Sequence, residues 1–116
     1  MESAANGIII TDTEGNIQWV NPAFTRLTGY SFDESVGSNL RMLNSGVHEA
    51  GFFHHMWTKI LAGEVWHDEV VNRRKDGSLY TEEMTITPVF DENRRITRFV
   101  AIKQDISSRK ELEKIA

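Results

Sequence analysis

Cysteine is absent from this 116-residue chain. That absence excludes disulfides, thiol catalysis, zinc–thiolate centres and any cysteinyl adduct chemistry. No apolar run approaches the roughly 20 residues a membrane-spanning helix needs, and the N-terminus lacks the basic-then-apolar pattern of a secretion signal. A cytoplasmic location is therefore expected, for a free protein or for part of a membrane-anchored one. Basic charge is also short: 13 Lys and Arg stand against 17 Asp and Glu, a formal net charge of −4. Such a balance argues against nucleic acid or an anionic membrane surface as a partner. No nucleophile–base constellation, phosphate-cradling glycine loop or metal motif can be named, so no enzyme is expected within this domain. Repeats and low-complexity stretches are missing as well.

What remains has the length and composition of one globular domain with a real core. The clearest signal is Val70–Tyr80, where two strand-like runs flank Asp76-Gly77. The glycine there takes the positive φ a hairpin turn needs. Beyond the turn, Tyr80, Glu82, Met84 and Ile86 alternate with Thr81, Glu83, Thr85 and Thr87, so one face carries the apolar residues. Glu82 adds a carboxylate to that face. Asn72, in register with Trp66 and Val70, adds an amide. Unpaired burial of such groups is costly, so they are expected to have a use.

Ahead of this hairpin, Gly7–Asp12 and Asn16–Val20 read as a first hairpin turning at Glu14-Gly15, its first strand fully buried. Asn21-Pro22 starts a helix with an N-cap and a first-position proline, and Gly29 ends it. Ser31 caps another helical turn, and 37–46 is irregular with a helical turn. From Glu49 to Ala62, Phe52, Phe53, Met56, Trp57, Ile60 and Leu61 mark an amphipathic helix ended by Gly63. Three strands follow: Trp66–Arg74, Leu79–Phe90 and Ile96–Ile106. Ser108-Arg109-Lys110-Glu111 has the capping-box pattern of a last helix. Five strands with helices massed on one face make an α+β fold.

Several stretches, in this order, resemble a PAS domain, the sensory module of bacterial signalling proteins. They are Ile10-Thr11-Asp12-Thr13-Glu14-Gly15-Asn16-Ile17, Asn21-Pro22-Ala23-Phe24, Leu27-Thr28-Gly29-Tyr30-Ser31, Gly37-Ser38-Asn39, Asn72-Arg73-Arg74-Lys75-Asp76-Gly77-Ser78 and Asp105-Ile106-Ser107. The resemblance implies a five-stranded antiparallel sheet flanked by short helices. It implies a sensor over residues 1–106 and the start of a signalling connector over 107–116.

Within that family the chain looks most like the flavin-binding branch, with FAD or FMN as the implied cofactor. Leu40 stands where blue-light members carry a reactive cysteine, so no covalent photoadduct can form. Arg41 matches a phosphate-binding arginine and Asn72 a flavin-contacting asparagine. Glu82 replaces a second such asparagine, and Lys103 replaces a pocket glutamine. Trp66 resembles the ring-contacting tryptophan of non-covalent FAD-binding members that sense redox state. Each residue also has a plainer reading. Asn72 can satisfy backbone groups at the hairpin, and Trp66 can be core. Arg41 can be solvated, and Glu82 can form a structural ion pair with Arg41, Lys103 or another cation.

Among the histidines, His54 and His55 point about 100° apart on one helix and cannot chelate one metal. Some PAS domains hold haem through that helix, but the local sequence matches theirs poorly and haem is not expected. His48 and His67 read as surface residues. Residues 109–116 resemble connectors entering diguanylate cyclases and, less closely, histidine kinases. The rival expectation is a cofactor-free module that homodimerises or relays a signal.

Overall fold

The computed structural model describes residues 6–115. Strand β1 (Gly7–Thr11) turns into β2 (Ile17–Val20), followed by helices α1 (Pro22–Thr28) and α2 (Phe32–Ser35). A 3-10 turn, Leu40–Leu43, leads to helix α3 (Ala50–Leu61). Strands β3 (Trp66–Arg73), β4 (Leu79–Phe90) and β5 (Ile96–Asp105) then run into α4 (Ser107–Ile115). All pairings are antiparallel, in the order β2-β1-β5-β4-β3.

Local chemistry explains the element ends. Asp12 accepts the Glu14 and Asn16 N–H groups, each at 2.9 Å, and the chain reverses at Gly15 with φ at 85°. A Cβ at Gly15 would approach the Trp57 ring to 3.2 Å, so the turn also needs the missing side chain. Asn21 caps α1 by accepting Phe24 N–H at 3.0 Å, and it accepts Ile8 N–H at 2.9 Å as well. The α1 start is thereby pinned to the first strand. Ser31 and Glu34 form a reciprocal capping box on α2.

The core lies between the sheet and the helices. Ile9, Ile17, Val20, Phe24, Leu43, Met56, Ile60, Trp66, Val70, Met84, Ile86, Phe99 and Ala101 form one buried cluster. Strand β1 is not buried throughout, as its apolar run had implied. Ile9 is sealed, while Ile8 and Ile10 are half-buried, because the far face of the sheet carries no helix there. Leu61 likewise leaves the apolar stripe of α3 and is exposed, with Ile60 alone entering the core at that turn. Helix α4 starts at Ser107, one residue before the capping-box serine. There the Asp105 carboxylate accepts Ser107 N–H at 2.9 Å, and the Ser107 hydroxyl accepts Thr81 N–H at 3.0 Å.

Candidate functional site

Register carries the polar residues inward. Across β1, β5, β4 and β3, Ile9, Ala101, Ile86 and Trp66 stand side by side on the inner face. Two residues along β5 comes Lys103, and two and more along β4 come Met84, Glu82 and Tyr80. Glu82 lies opposite Val70, and Tyr80 lies opposite Asn72. The side chains of Lys103 and Glu82 are 1% and 0% exposed, and they form an ion pair through Glu82 Oε2. Asn72 Nδ2 donates to the same oxygen at 2.7 Å. Of the two cations named for Glu82, Arg41 and Lys103, the fold therefore delivers Lys103.

Two atoms of this cluster have no hydrogen-bond partner among the described residues: Glu82 Oε1 and the Tyr80 hydroxyl. Tyr80 lies beside Glu82. Burial, reinforced by the Glu82 charge, pushes its phenol far above its ordinary value, so it stays protonated. The Arg74 guanidinium covers its ring at 4.6 Å.

Above this floor lies a cavity of about 100 Å³, or about 550 Å³ with its open mouth included. Asn72, Lys103, Met84, Ile86 and Val70 line it from the sheet, and Phe53, Met56 and Trp57 from α3. Leu40, Arg41, Asn39 and Asn44 form the remaining side. The turn bearing Leu40 and Arg41 is anchored on the first hairpin. Asn39 Nδ2 donates to Glu14 O at 2.9 Å, its Oδ1 accepts Arg41 N–H at 3.1 Å, and Leu40 N–H reaches Gly15 O at 2.9 Å. Arg41 is exposed and in no salt bridge among the described residues.

Beyond Asn44, the chain seals the free edge of β3. Ser45 Oγ donates to Val71 O at 2.7 Å, and His48 Nε2 accepts Val71 N–H at 2.9 Å. The His48 ring stacks on Phe52 at 4.1 Å. His48 is therefore a half-buried latch rather than a free surface residue, and a bond to a backbone amide left no trace in the sequence. His67 is exposed, as expected, and its Nδ1 contacts Thr85 Oγ1 at 2.7 Å.

Of the six residues singled out from sequence, Asn72, Lys103, Leu40 and Arg41 line the cavity, and Glu82 holds two of them from behind. Trp66 does not line it; it is buried against Phe52, edge to face at 5.7 Å. The tryptophan on the cavity is Trp57. Its place four residues after Phe53 on the apolar stripe of α3 was the available signal. Among the described residues no group of three or more His, Cys, Asp and Glu is arranged to hold a metal ion, and no helix is long and apolar enough to cross a membrane.

This donor set fits a flavin. The ring's pyrimidine edge alternates donors and acceptors, which the Asn72 amide and the Lys103 ammonium can meet. Its faces need apolar walls, which Leu40, Met56, Trp57, Val70 and Ile86 provide. A phosphate would find Arg41 at the rim.

Comparison with known proteins follows the same lines. The family model for the PAS domain matches residues 5–108. The nitrogen fixation regulatory protein of Klebsiella oxytoca is 36% identical over 107 residues, covering 92% of this chain and 22% of that protein. The chain thus spans about a fifth of that relative's length. An RNA-binding light-oxygen-voltage receptor superposes with a TM-score of 0.86 at 27% identity, covering 95% of this chain and 33% of that one. The light-oxygen-voltage domain of the blue-light activated histidine kinase of Erythrobacter litoralis EL346 gives 0.82 at 26% identity, covering 90% and 99% of the two chains.

Proposed function

Because this chain belongs to the PAS domain family, we propose that it is a sensory domain that holds a flavin between its sheet and α3 and relays the state of the ring to α4. The observation that carries this reading is the cavity floor. Asn72 and Lys103 both line the cavity, and one buried carboxylate oxygen of Glu82 holds the two of them from behind. When bound, a flavin supplies reversible electron uptake. With Leu40 at the position of the reactive cysteine, redox state is favoured over light as the signal. FAD and FMN share the ring these residues would meet, and Arg41 suits the phosphate of either.

The relay is short. Thr81 and Glu83 flank Glu82 and hold the start of α4, Thr81 through its backbone and Glu83 through its side chain. Thr81 N–H donates to Ser107 Oγ, Ile106 N–H to Thr81 O at 2.9 Å, and Arg109 reaches Glu83 at 3.3 Å. Lys103 precedes Asp105 by two residues. Asp105 receives both the Ser107 N–H and the Arg74 guanidinium, the latter at 3.2 Å. A change in charge beside Lys103 and Asn72 would alter their bonds to Glu82 and strain the β4–α4 junction. Paired connector helices in a homodimer would turn that strain into motion.

For the separate output domain we favour a histidine kinase. The Erythrobacter kinase relative supports it, whereas the diguanylate cyclase reading rests on residues 109–116 alone. A cytoplasmic setting suits either. The absorbance spectrum of purified protein, before and after incubation with FAD and FMN, tests the flavin. The structured blue band of bound flavin is expected, and failure to take up either cofactor overturns the reading. A cofactor-free homodimer is the second reading, favoured by Trp19, Ile102 and Phe90, each at least 40% exposed on the strands. A colourless protein that is dimeric by light scattering would support it.

A further inference from the structure

Two cations line the cavity among the described residues, and they are placed very differently. Arg41 is exposed at the rim, where solvent and salt screen it. Lys103 is almost completely buried on the floor, with no polar partner besides Glu82 among the described residues. Lys103 lines the cavity and Glu82 does not. The pair is neutral overall, yet its positive end faces the cavity and its negative end is screened behind. A structural ion pair needs no such polarity, and hydrocarbon would fill the same space at no loss of stability.

We infer that Lys103 is the residue that sets which charge state of the ligand the cavity prefers, selecting an electron-rich or anionic ring edge over its neutral counterpart. This rests on the flavin reading and deepens it. Two electrons and one proton convert the neutral oxidised ring to a reduced ring of charge −1, with dithionite as the external donor in vitro. The added charge falls where Lys103 can stabilise it, so the domain binds reduced flavin more tightly than oxidised flavin. The midpoint potential of bound flavin is raised by the same ratio. Glu82 acts through Lys103 as a positioning residue and moderates the effect.

The test is the ratio of dissociation constants for oxidised and dithionite-reduced FMN, measured anaerobically on the wild type and three variants. Lys103→Gln removes the cation and leaves the carboxylate, and is expected to cut the preference for reduced FMN at least tenfold. For a two-electron couple that is about a 30 mV fall in potential. Glu82→Gln unmasks the cation and is expected to move the ratio the opposite way. The double variant Glu82→Gln/Lys103→Gln leaves no unpaired buried charge. It guards against misfolding and is expected to fall below the wild type. Ratios within twofold of the wild type in all three, or shifts of one sign in both single variants, overturn the inference while leaving flavin binding in place. No uptake by the wild type overturns the flavin reading itself, and the inference with it.

Discussion

Two neighbouring parts of the inner sheet face have opposite fillings. In the row Ile9, Ala101, Ile86 and Trp66, every side chain is apolar and at most 3% exposed. Two to six residues further along the strands, Lys103, Glu82, Asn72 and Tyr80 are at most 4% exposed, and two of their polar atoms lack partners among the described residues. Both regions are equally inaccessible, so solvent did not select the polar set. The first row accounts for cohesion through transfer of hydrocarbon from water. The second carries the desolvation penalty of an ion pair, which is weak evidence for stability, and places Lys103 and Asn72 on the cavity wall.

The largest predicted effect bears directly on that contrast. Removing one partner, by Glu82→Leu or Lys103→Met, strands a buried charge and should cost about 3–5 kcal/mol of folding stability. The double variant Glu82→Leu/Lys103→Met should recover most or all of it. Urea unfolding of the three proteins checks both statements. A double variant no better than the singles would make the pair a structural necessity. In the apolar row, Ile9→Ala should cost about 2–5 kcal/mol, and no single second substitution in the row should restore it. Next in size is the latch on the β3 edge. His48→Ala should lose about 1 kcal/mol, and hydrogen exchange at the Val71 amide should accelerate. Protection unchanged at Val71 would remove the latch from the account.

Smaller effects come from titration. Tyr80 has its phenol value raised above the ordinary 10.0 by burial first and the Glu82 charge second. A raised value means that its contribution is full below about pH 10 and is lost as pH rises above it. Alkaline unfolding should therefore be less steep in Tyr80→Phe, whose stability near neutrality stays within about 1 kcal/mol of the wild type. Circular dichroism across the alkaline range decides this. Asp12 and Asp76 run the other way. The Asn16 N–H chiefly, and the Ser78 hydroxyl chiefly, hold them below the ordinary 3.8. Their contribution is complete above that pH and disappears as acid brings them through their depressed values. Asp12 is a half-buried and Asp76 an exposed turn residue, both open to solvent screening, so Asp12→Asn should shift the acid limb of unfolding only slightly.

Much of this was legible in the residues. Alternation along β4 placed Glu82 inside, and the register of Trp66 and Val70 placed Asn72 beside it, because period 2 is enforced by the pleat. Asn21-Pro22, Ser31 and Asp76-Gly77 announced their caps and turns through local chemistry. The partner of Glu82 was not legible, since choosing Lys103 over Arg41 requires the β4–β5 register, a long-range fact. Trp66 and Trp57 were indistinguishable as apolar aromatics until the position of α3 over the sheet separated them. His48 engages a backbone N–H across 23 residues, which no pattern encodes.

Calorimetric titration of FMN into the wild type and the Glu82→Leu/Lys103→Met variant tests the central claim most directly. The account predicts one-to-one binding by the wild type and markedly weaker binding by the folded double variant. Equal binding by both proteins, or heat from neither, would contradict it.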